Sequence, residues 1–172
     1  LALRFGIRVH EATGRPVRIF LFAVGGKRIE YFLRKQILSD NDWNYEDGKP
    51  HAQFKKSLGD EIFGEDNEIT KGLSRIGQKH VDVVLVHQGE ANVVVGDSTD
   101  SLMKKYTILL EELNRMDYTR HLTPIIFGEI NSRYPNSQNQ RDAIRLLSLN
   151  HPAVSFVHWD GIDEVGEIEG RP

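Results

Sequence analysis

Side chains able to bind or hydrolyse a ligand follow a short apolar run near the middle of the chain. Residues 81–86, with the sequence VDVVLV, are mostly β-branched and predict a strand buried on both faces, as in parallel sheets. Residues 87–92, HQGEAN, then offer an imidazole, two amides and a carboxylate. Because open parallel sheets bind ligands at the carboxyl ends of their strands, these polar residues predict a site.

A glycine pair forms a second candidate. Gly25 and Gly26 follow the apolar run 17–24, which predicts another strand, and precede residues 27–36, which predict a helix. A strand that passes through two glycines into a helix lets backbone N–H groups approach a ligand closely. The alternative interpretation of the pair is an ordinary tight turn between a strand and a helix.

Both stretches resemble sequence blocks of the SGNH hydrolases, in the branch of sialate O-acetylesterases and related carbohydrate acetylesterases. Residues 87–92 are similar to block III of that branch, His-Gln-Gly-Glu-Ser/Ala-Asn/Asp. Residues 24–32, VGGKRIEYF, are similar to block II, Gly-Gly-x-x-Ile-Glu followed by an aromatic residue. The resemblance implies removal of O-acetyl groups from sugars, by acyl transfer to a serine and then to water, without a cofactor or metal.

The resemblance also implies roles for individual residues. The glycine turn of block II would supply a backbone N–H to the oxyanion hole, and an amide of block III would complete it. Glu90 is expected to orient the loop and not to act as a base. The residues given oxyanion or substrate-binding roles are Gly25, Gly26, Gln88, Gly89, Glu90 and Asn92.

The family's Ser nucleophile (block I) and its Asp-x-x-His pair (block V) are not matched at their expected places, and no Asp-x-x-His occurs in the sequence. Gly96-Asp97-Ser98 has the composition of block I, but it follows block III by too few residues for a crossover between parallel strands, which takes about a dozen or more. We therefore predict that Ser98 caps the helix that starts near Ser101. A further interpretation pairs Ser98, as nucleophile, with His158, as base. We expect the chain by itself to be inactive as an esterase.

The pattern of apolar runs predicts a single α/β domain over residues 1–172. Together with the resemblance, it predicts a three-layer α/β/α fold with a mostly parallel, flavodoxin-like sheet. In that strand order the first strand separates the strands at 17–24 and 81–87. We expect that strand to lie outside the sequence, the pairing to be rearranged, or the chain to be a degenerate relative. Strands are predicted near 17–24, 81–87, 122–128 and 153–158, and helices near 1–11, 27–36, 68–79, 101–116 and 138–150.

Composition limits the choice of partners. The net charge of -3 and the absence of a basic block argue against nucleic acid, and no apolar run approaches the roughly 18 residues of a membrane span. Cysteine is absent, so no thiolate nucleophile is available. The predicted partner is an acetylated carbohydrate. The alternative is a non-catalytic carbohydrate-binding or structural module of a larger surface or phage tail assembly.

Two loops are predicted to govern substrate selectivity, residues 39–50 and 131–136. Trp43 and Tyr45 in the first loop could stack on a sugar ring or pin the loop to the domain, and pinning is the favoured interpretation.

Overall fold

The computed structural model describes residues 2–41, 43, 45–46, 49–50, 57–64, 67–120 and 122–158. Within these ranges helices and strands alternate along the second half of the chain, which confirms the α/β class. The elements in chain order are α1 (Ala2–Thr13), a 3₁₀ turn (Ile29–Phe32), α2 (Lys35–Asp40), β1 (Tyr45–Glu46), β2 (Lys49–Pro50), α3 (Gly59–Phe63), α4 (Glu68–Arg75), β3 (Val84–Val86), α5 (Glu90–Val94), α6 (Thr99–Asn114), β4 (Ile125–Gly128), α7 (Ser137–Asn150) and β5 (Val154–Val157).

A small parallel sheet positions the site. Its strands lie in the order β3-β4-β5, and Val84, Ile125 and Val154 are aligned across it. The strands predicted near 81–87, 122–128 and 153–158 are confirmed, each with shorter bounds. Because all three strands run the same way, the residues that follow them meet at one edge of the sheet.

The two faces of this sheet differ in burial. Ile125, Phe127 and Val154 point to one face and are buried. Leu85, in the middle of β3, is 48% exposed. The prediction of a strand buried on both faces is therefore wrong for β3, which lies at an edge of the described sheet and presents alternate side chains to opposite faces.

The prediction of a strand at residues 17–24 is also wrong. This segment is extended but pairs with no strand among the described residues. Phe20 and Phe22 pack against the core, whereas Leu21 between them is 69% exposed. The alternation is that of a strand, but a strand also needs a neighbour that offers backbone N–H and C=O groups, and the sequence of the segment does not supply one.

The helix predicted at residues 27–36 is divided into the 3₁₀ turn and α2. The chain is extended at Leu33 and Arg34 between them. Ser57 donates its hydroxyl to the carbonyl of Leu33, and the amide of Leu58 donates to the carbonyl of Tyr31. These two carbonyls would accept hydrogen bonds within a continuous helix, but here they accept from a neighbouring segment.

The other predicted helices are present with adjusted ends. Asn67 caps α4 by accepting a hydrogen bond from the amide of Thr70 at 2.9 Å. Helix α6 packs on α7, and α7 packs on β5. Tyr106 of α6 lies edge-on to Phe127 of β4, with 5.2 Å between the ring centroids, which joins the helices to the sheet.

No helix in the described ranges combines the length and the apolar character needed to cross a membrane.

Candidate functional site

The carboxyl end of β3 opens into a cleft of about 620 Å³. It brings the Gly25–Gly26 turn next to Gln88 and Glu90, although the two predicted motifs are far apart in sequence. The described residues that line it are Ala23, Val24, Gly25, Gly26, Lys27, Arg28, His87, Gln88, Glu90, Ala91, Val94, Val95 and Tyr134. A second cavity, near residues 70–80, contains none of the predicted site residues.

The glycine turn gives the cleft an open backbone wall. Gly26 has φ of 70°, in the left-handed region that glycine adopts without steric cost. A Cβ placed on Gly25 or Gly26 would meet no atom within 4 Å. The backbone of this turn is therefore accessible from the cleft.

The opposite wall is the turn that follows β3, and two helices hold it in place. The carbonyl of Gln88 accepts hydrogen bonds from the Tyr106 hydroxyl at 2.6 Å and from Gln140 Nε2 at 3.4 Å. Gly89 has φ of 120°, and a Cβ there would lie 2.5 Å from the Tyr106 hydroxyl. Only glycine fits this close approach of backbone to side chain.

Gln140 links the ends of two strands. Its Nε2 also donates to the carbonyl of Gly128 at 3.2 Å, and its Oε1 accepts from the amide of Ile130 at 3.3 Å. Gln140 is fully buried, and its amide bonds backbone groups that follow both β3 and β4. It thus continues the hydrogen bonding between these strands beyond the last paired residues.

The side-chain oxygen of Gln88 is an unsatisfied hydrogen-bond acceptor within the described part of the chain. This Oε1 atom is buried and has no hydrogen-bond partner among the described residues. A buried polar atom without a partner costs about 1–3 kcal/mol. A ligand group that donates a hydrogen bond to this oxygen would recover that free energy.

His87 and Glu90 form an ion pair in the cleft. His87 Nδ1 lies 3.1 Å from Glu90 Oε1. The hydrogen bond to Glu90 raises the pKa of His87 above its usual 6.5, against the effect of burial and with a further contribution from the backbone carbonyl of Glu129. Burial alone would raise the pKa of Glu90, but the hydrogen bonds from His87 and from its own amide lower it below 4.5. The pair fixes the turn, consistent with an orienting role for Glu90.

This ion pair makes stability depend on pH. Because folding raises the pKa of His87, the pairing stabilises the fold fully below about pH 6.5 and is lost as the pH rises through the raised value. Because folding lowers the pKa of Glu90, the same pairing is lost as the pH falls below 4.5. We expect the melting temperature of the chain to exceed that of Glu90→Gln at about pH 5.5, and the difference to shrink at about pH 8.5. A difference that is constant over this range would contradict the assignment, and NMR titration of His87 in both proteins provides the independent check.

Asn92 does not line the cleft. It is fully buried; its Oδ1 accepts from the amide of Ile29 at 2.9 Å, and its Nδ2 donates to Glu30 at 2.8 Å and to Asp97 at 2.6 Å. Lys105 Nζ lies between the same two carboxylates, 2.6 Å from Glu30 and 2.5 Å from Asp97. We call Glu30, Asn92, Asp97 and Lys105 the buried polar cluster, and it ties the glycine-turn wall to the other wall.

Ser98 and His158 have different partners. Ser98 caps α6 by accepting from the amide of Ser101 at 3.2 Å, which confirms the predicted capping. His158 Nδ1 lies 3.3 Å from the buried carboxylate of Glu129, which also accepts from Arg145. No described contact joins Ser98 to His158, and neither lines the cleft as described.

Trp43 packs against the core. The Lys104 and Lys105 ammonium groups lie 5.2 Å and 5.6 Å from its ring centroid. These contacts support the interpretation that Trp43 pins the loop at 39–50. The side chain of Tyr45 lies outside the described part of the structure.

Several of the described lining residues were not predicted to belong to the site. Lys27 and Arg28 occupy the two variable positions of Gly-Gly-x-x-Ile-Glu, so the pattern carries no information about them. Tyr134 lies in a loop predicted to govern selectivity, and the signal that could have found it is an aromatic residue shortly after the carboxyl end of β4.

The described residues contain no group of three or more histidine, cysteine, aspartate or glutamate side chains placed to hold a metal ion. No family model, curated protein or solved structure matches this chain.

Proposed function

We propose that the cleft is the ester-binding part of a carbohydrate O-acetylesterase of the SGNH type. The observation that carries the proposal is that the glycine turn and the turn at 87–92 line one cleft. In the proposed role the amide of Gly26 and the side-chain amide of Gln88 donate to the ester carbonyl oxygen, where negative charge develops during acyl transfer. Glu90 holds the second turn through His87.

The proposal extends to the fold. In the flavodoxin-like order 2-1-3-4-5, the described strands β3, β4 and β5 would take the last three positions. The outer edge of β3 and the segment 17–24 both lack a strand partner among the described residues. The observation that supports the flavodoxin-like arrangement is the parallel order β3-β4-β5.

A non-catalytic carbohydrate-binding or structural module is the second candidate. The described residues that line the cleft include no serine, threonine or cysteine, so they offer no hydroxyl or thiol nucleophile except the phenol of Tyr134. His87 is engaged by Glu90 and by the carbonyl of Glu129. Both features fit a cleft that binds without forming a covalent intermediate.

Amide NMR of the ¹⁵N-labelled chain tests ester recognition. We expect per-O-acetylated methyl β-D-glucopyranoside to shift the Gly26 amide and the Gln88 side-chain amide, because their N–H groups meet the ester carbonyl. Methyl β-D-glucopyranoside itself, which has no ester, is the matched ligand and is expected to shift the Gly26 amide less. Equal shifts of Gly26 with both ligands, or none with either, would contradict the proposal.

Hydrolysis of a simple ester tests whether the chain by itself acts as an esterase. The isolated chain is expected to release p-nitrophenolate from p-nitrophenyl acetate no faster than the buffer does, because the cleft as described lacks a serine-histidine pair. Turnover that His158→Ala abolishes would rule out the non-catalytic module and require a triad that includes His158.

A further inference from the structure

We propose that Tyr134 is the platform on which a sugar ring stacks in the cleft. The inference rests on the proposed function and names the residue of the same site that recognises the carbohydrate instead of the ester. Tyr134 lines the cleft together with the glycine turn and residues 87–95, and it is 42% exposed. No other tyrosine, phenylalanine or tryptophan is among the described lining residues.

The ring of Tyr134 has no described structural role. The chain's other described tyrosine rings, those of Tyr31, Tyr106 and Tyr118, belong to the core or pack against it. The side chain of Tyr134 makes no hydrogen bond, ring pair or cation contact with the described residues, and it is not part of that core. An aromatic ring left exposed in a concave cleft is typical of a ligand contact.

The backbone that carries this ring is fixed. The amide of Tyr134 donates to the carbonyl of Asn131 at 3.1 Å, and its carbonyl accepts from the amide of Ser137 at 3.2 Å. Asn136 Nδ2 donates to the carbonyl of Val93 at 3.1 Å, which ties the loop to α5 and so to the cleft wall. A ligand that stacks on Tyr134 therefore does not have to order the loop, which favours binding.

The surrounding groups complete the chemistry of sugar recognition. A pyranose ring has a face of C–H groups and a rim of hydroxyls that both donate and accept hydrogen bonds. Tyr134 offers the flat apolar surface, and Glu90 and Gln88 offer a carboxylate and an amide for the rim. Lys27 adds an ammonium donor on the opposite wall. The ligand class is thus a pyranose, with its acetyl ester directed to the glycine turn.

Affinity measurements on the full chain test the platform. With methyl β-D-glucopyranoside and methyl β-D-galactopyranoside as probes, Tyr134→Ala is expected to weaken binding roughly tenfold in the NMR titration, and Tyr134→Phe to change it less than about twofold. Arg133→Ala is the matched control, because Arg133 is exposed in the same loop but does not line the cleft. Dispersed amide spectra of each variant establish that it is folded.

The outcomes separate the platform from the proposed function. The platform would be overturned if Tyr134→Ala bound the probes as tightly as Tyr134→Phe. It would also be overturned if neither sugar bound the unaltered chain up to the solubility limit of the sugar. If the Gly26 shift with the acetylated sugar persists in such a case, the ester-binding role stands. If the sugars bind through Tyr134 while the acetylated probe leaves Gly26 unshifted, the ester-binding role fails and the platform stands.

Discussion

Lys105→Met is expected to lower the free energy of unfolding by about 3–5 kcal/mol, a large part of the stability of a domain of this size. The Lys105 side chain is only 5% exposed, and its ammonium lies 2.6 Å from Glu30 and 2.5 Å from Asp97. Methionine would fill a similar volume but leave two carboxylates close together and without their cation. Removing one partner of a buried ion pair costs far more than the pair contributes when intact.

The measurement is equilibrium unfolding in urea, with Lys104→Met as the control. Lys104 is next in sequence, exposed, and also lies over the Trp43 ring, at 5.2 Å, so its substitution removes a comparable cation–π contact and should cost less than about 1 kcal/mol. Adding Glu30→Gln and Asp97→Asn to Lys105→Met is expected to restore part of the stability, because the isolated charges are then absent. Equal stabilities of the Lys104→Met and Lys105→Met variants would show that the buried polar cluster does not hold the cleft walls together.

The sequence predicts where the site lies on the sheet better than it predicts which side chains hold the site's turns in place. Residues that follow parallel strands meet at one edge of the sheet, so the position of Gln88 and Glu90 follows from the apolar run before them. The placement of the Gly25–Gly26 turn beside them follows from the resemblance to blocks II and III. It does not follow from a paired strand at 17–24, because that segment has no strand neighbour among the described residues.

The supporting side chains come from helices and were not predicted. Helical spacing places Leu102, Tyr106 and Leu109 on one face and marks all three as core. The hydroxyl of Tyr106 nevertheless bonds the carbonyl of Gln88, and such a partner, distant in sequence, leaves no periodic signal. Lys105 did leave a signal, since a charged residue three positions after Leu102 interrupts the apolar face and must find a buried partner.

The hydrogen-bond partners of Gln140 could not be predicted either. It lies on the buried face of α7 with Ala143, Ile144 and Leu147, where an amide has to be fully hydrogen-bonded. The pattern therefore indicates that Gln140 has partners. Which carbonyls it bonds depends on how α7 packs on the sheet, and local sequence does not determine that.

Gly89→Ala is expected to destabilise the chain by about 2–4 kcal/mol and to displace the turn that carries Gln88. Two costs add at this position. With φ of 120°, the backbone is in a region that alanine rarely adopts. The added Cβ would also lie 2.5 Å from the Tyr106 hydroxyl and 3.0 Å from Gln140 Cγ, the two side chains that hold the carbonyl of Gln88.

Gly96→Ala separates these two costs. Gly96 has φ of 91°, and a Cβ there would meet nothing within 4 Å, so its substitution carries the backbone cost alone, about 1–3 kcal/mol. In urea unfolding, Gly89→Ala should therefore be the more destabilised variant, and only Gly89→Ala should shift the Gln88 side-chain amide in NMR spectra. Tyr106→Phe removes the oxygen that the new Cβ would strike, so the double variant Gly89→Ala/Tyr106→Phe is expected to lose less stability than the sum of the single variants. Strict additivity, or equal losses for Gly89→Ala and Gly96→Ala, would mean that the Tyr106 hydroxyl does not pack against Gly89 and that the turn is not held by this contact.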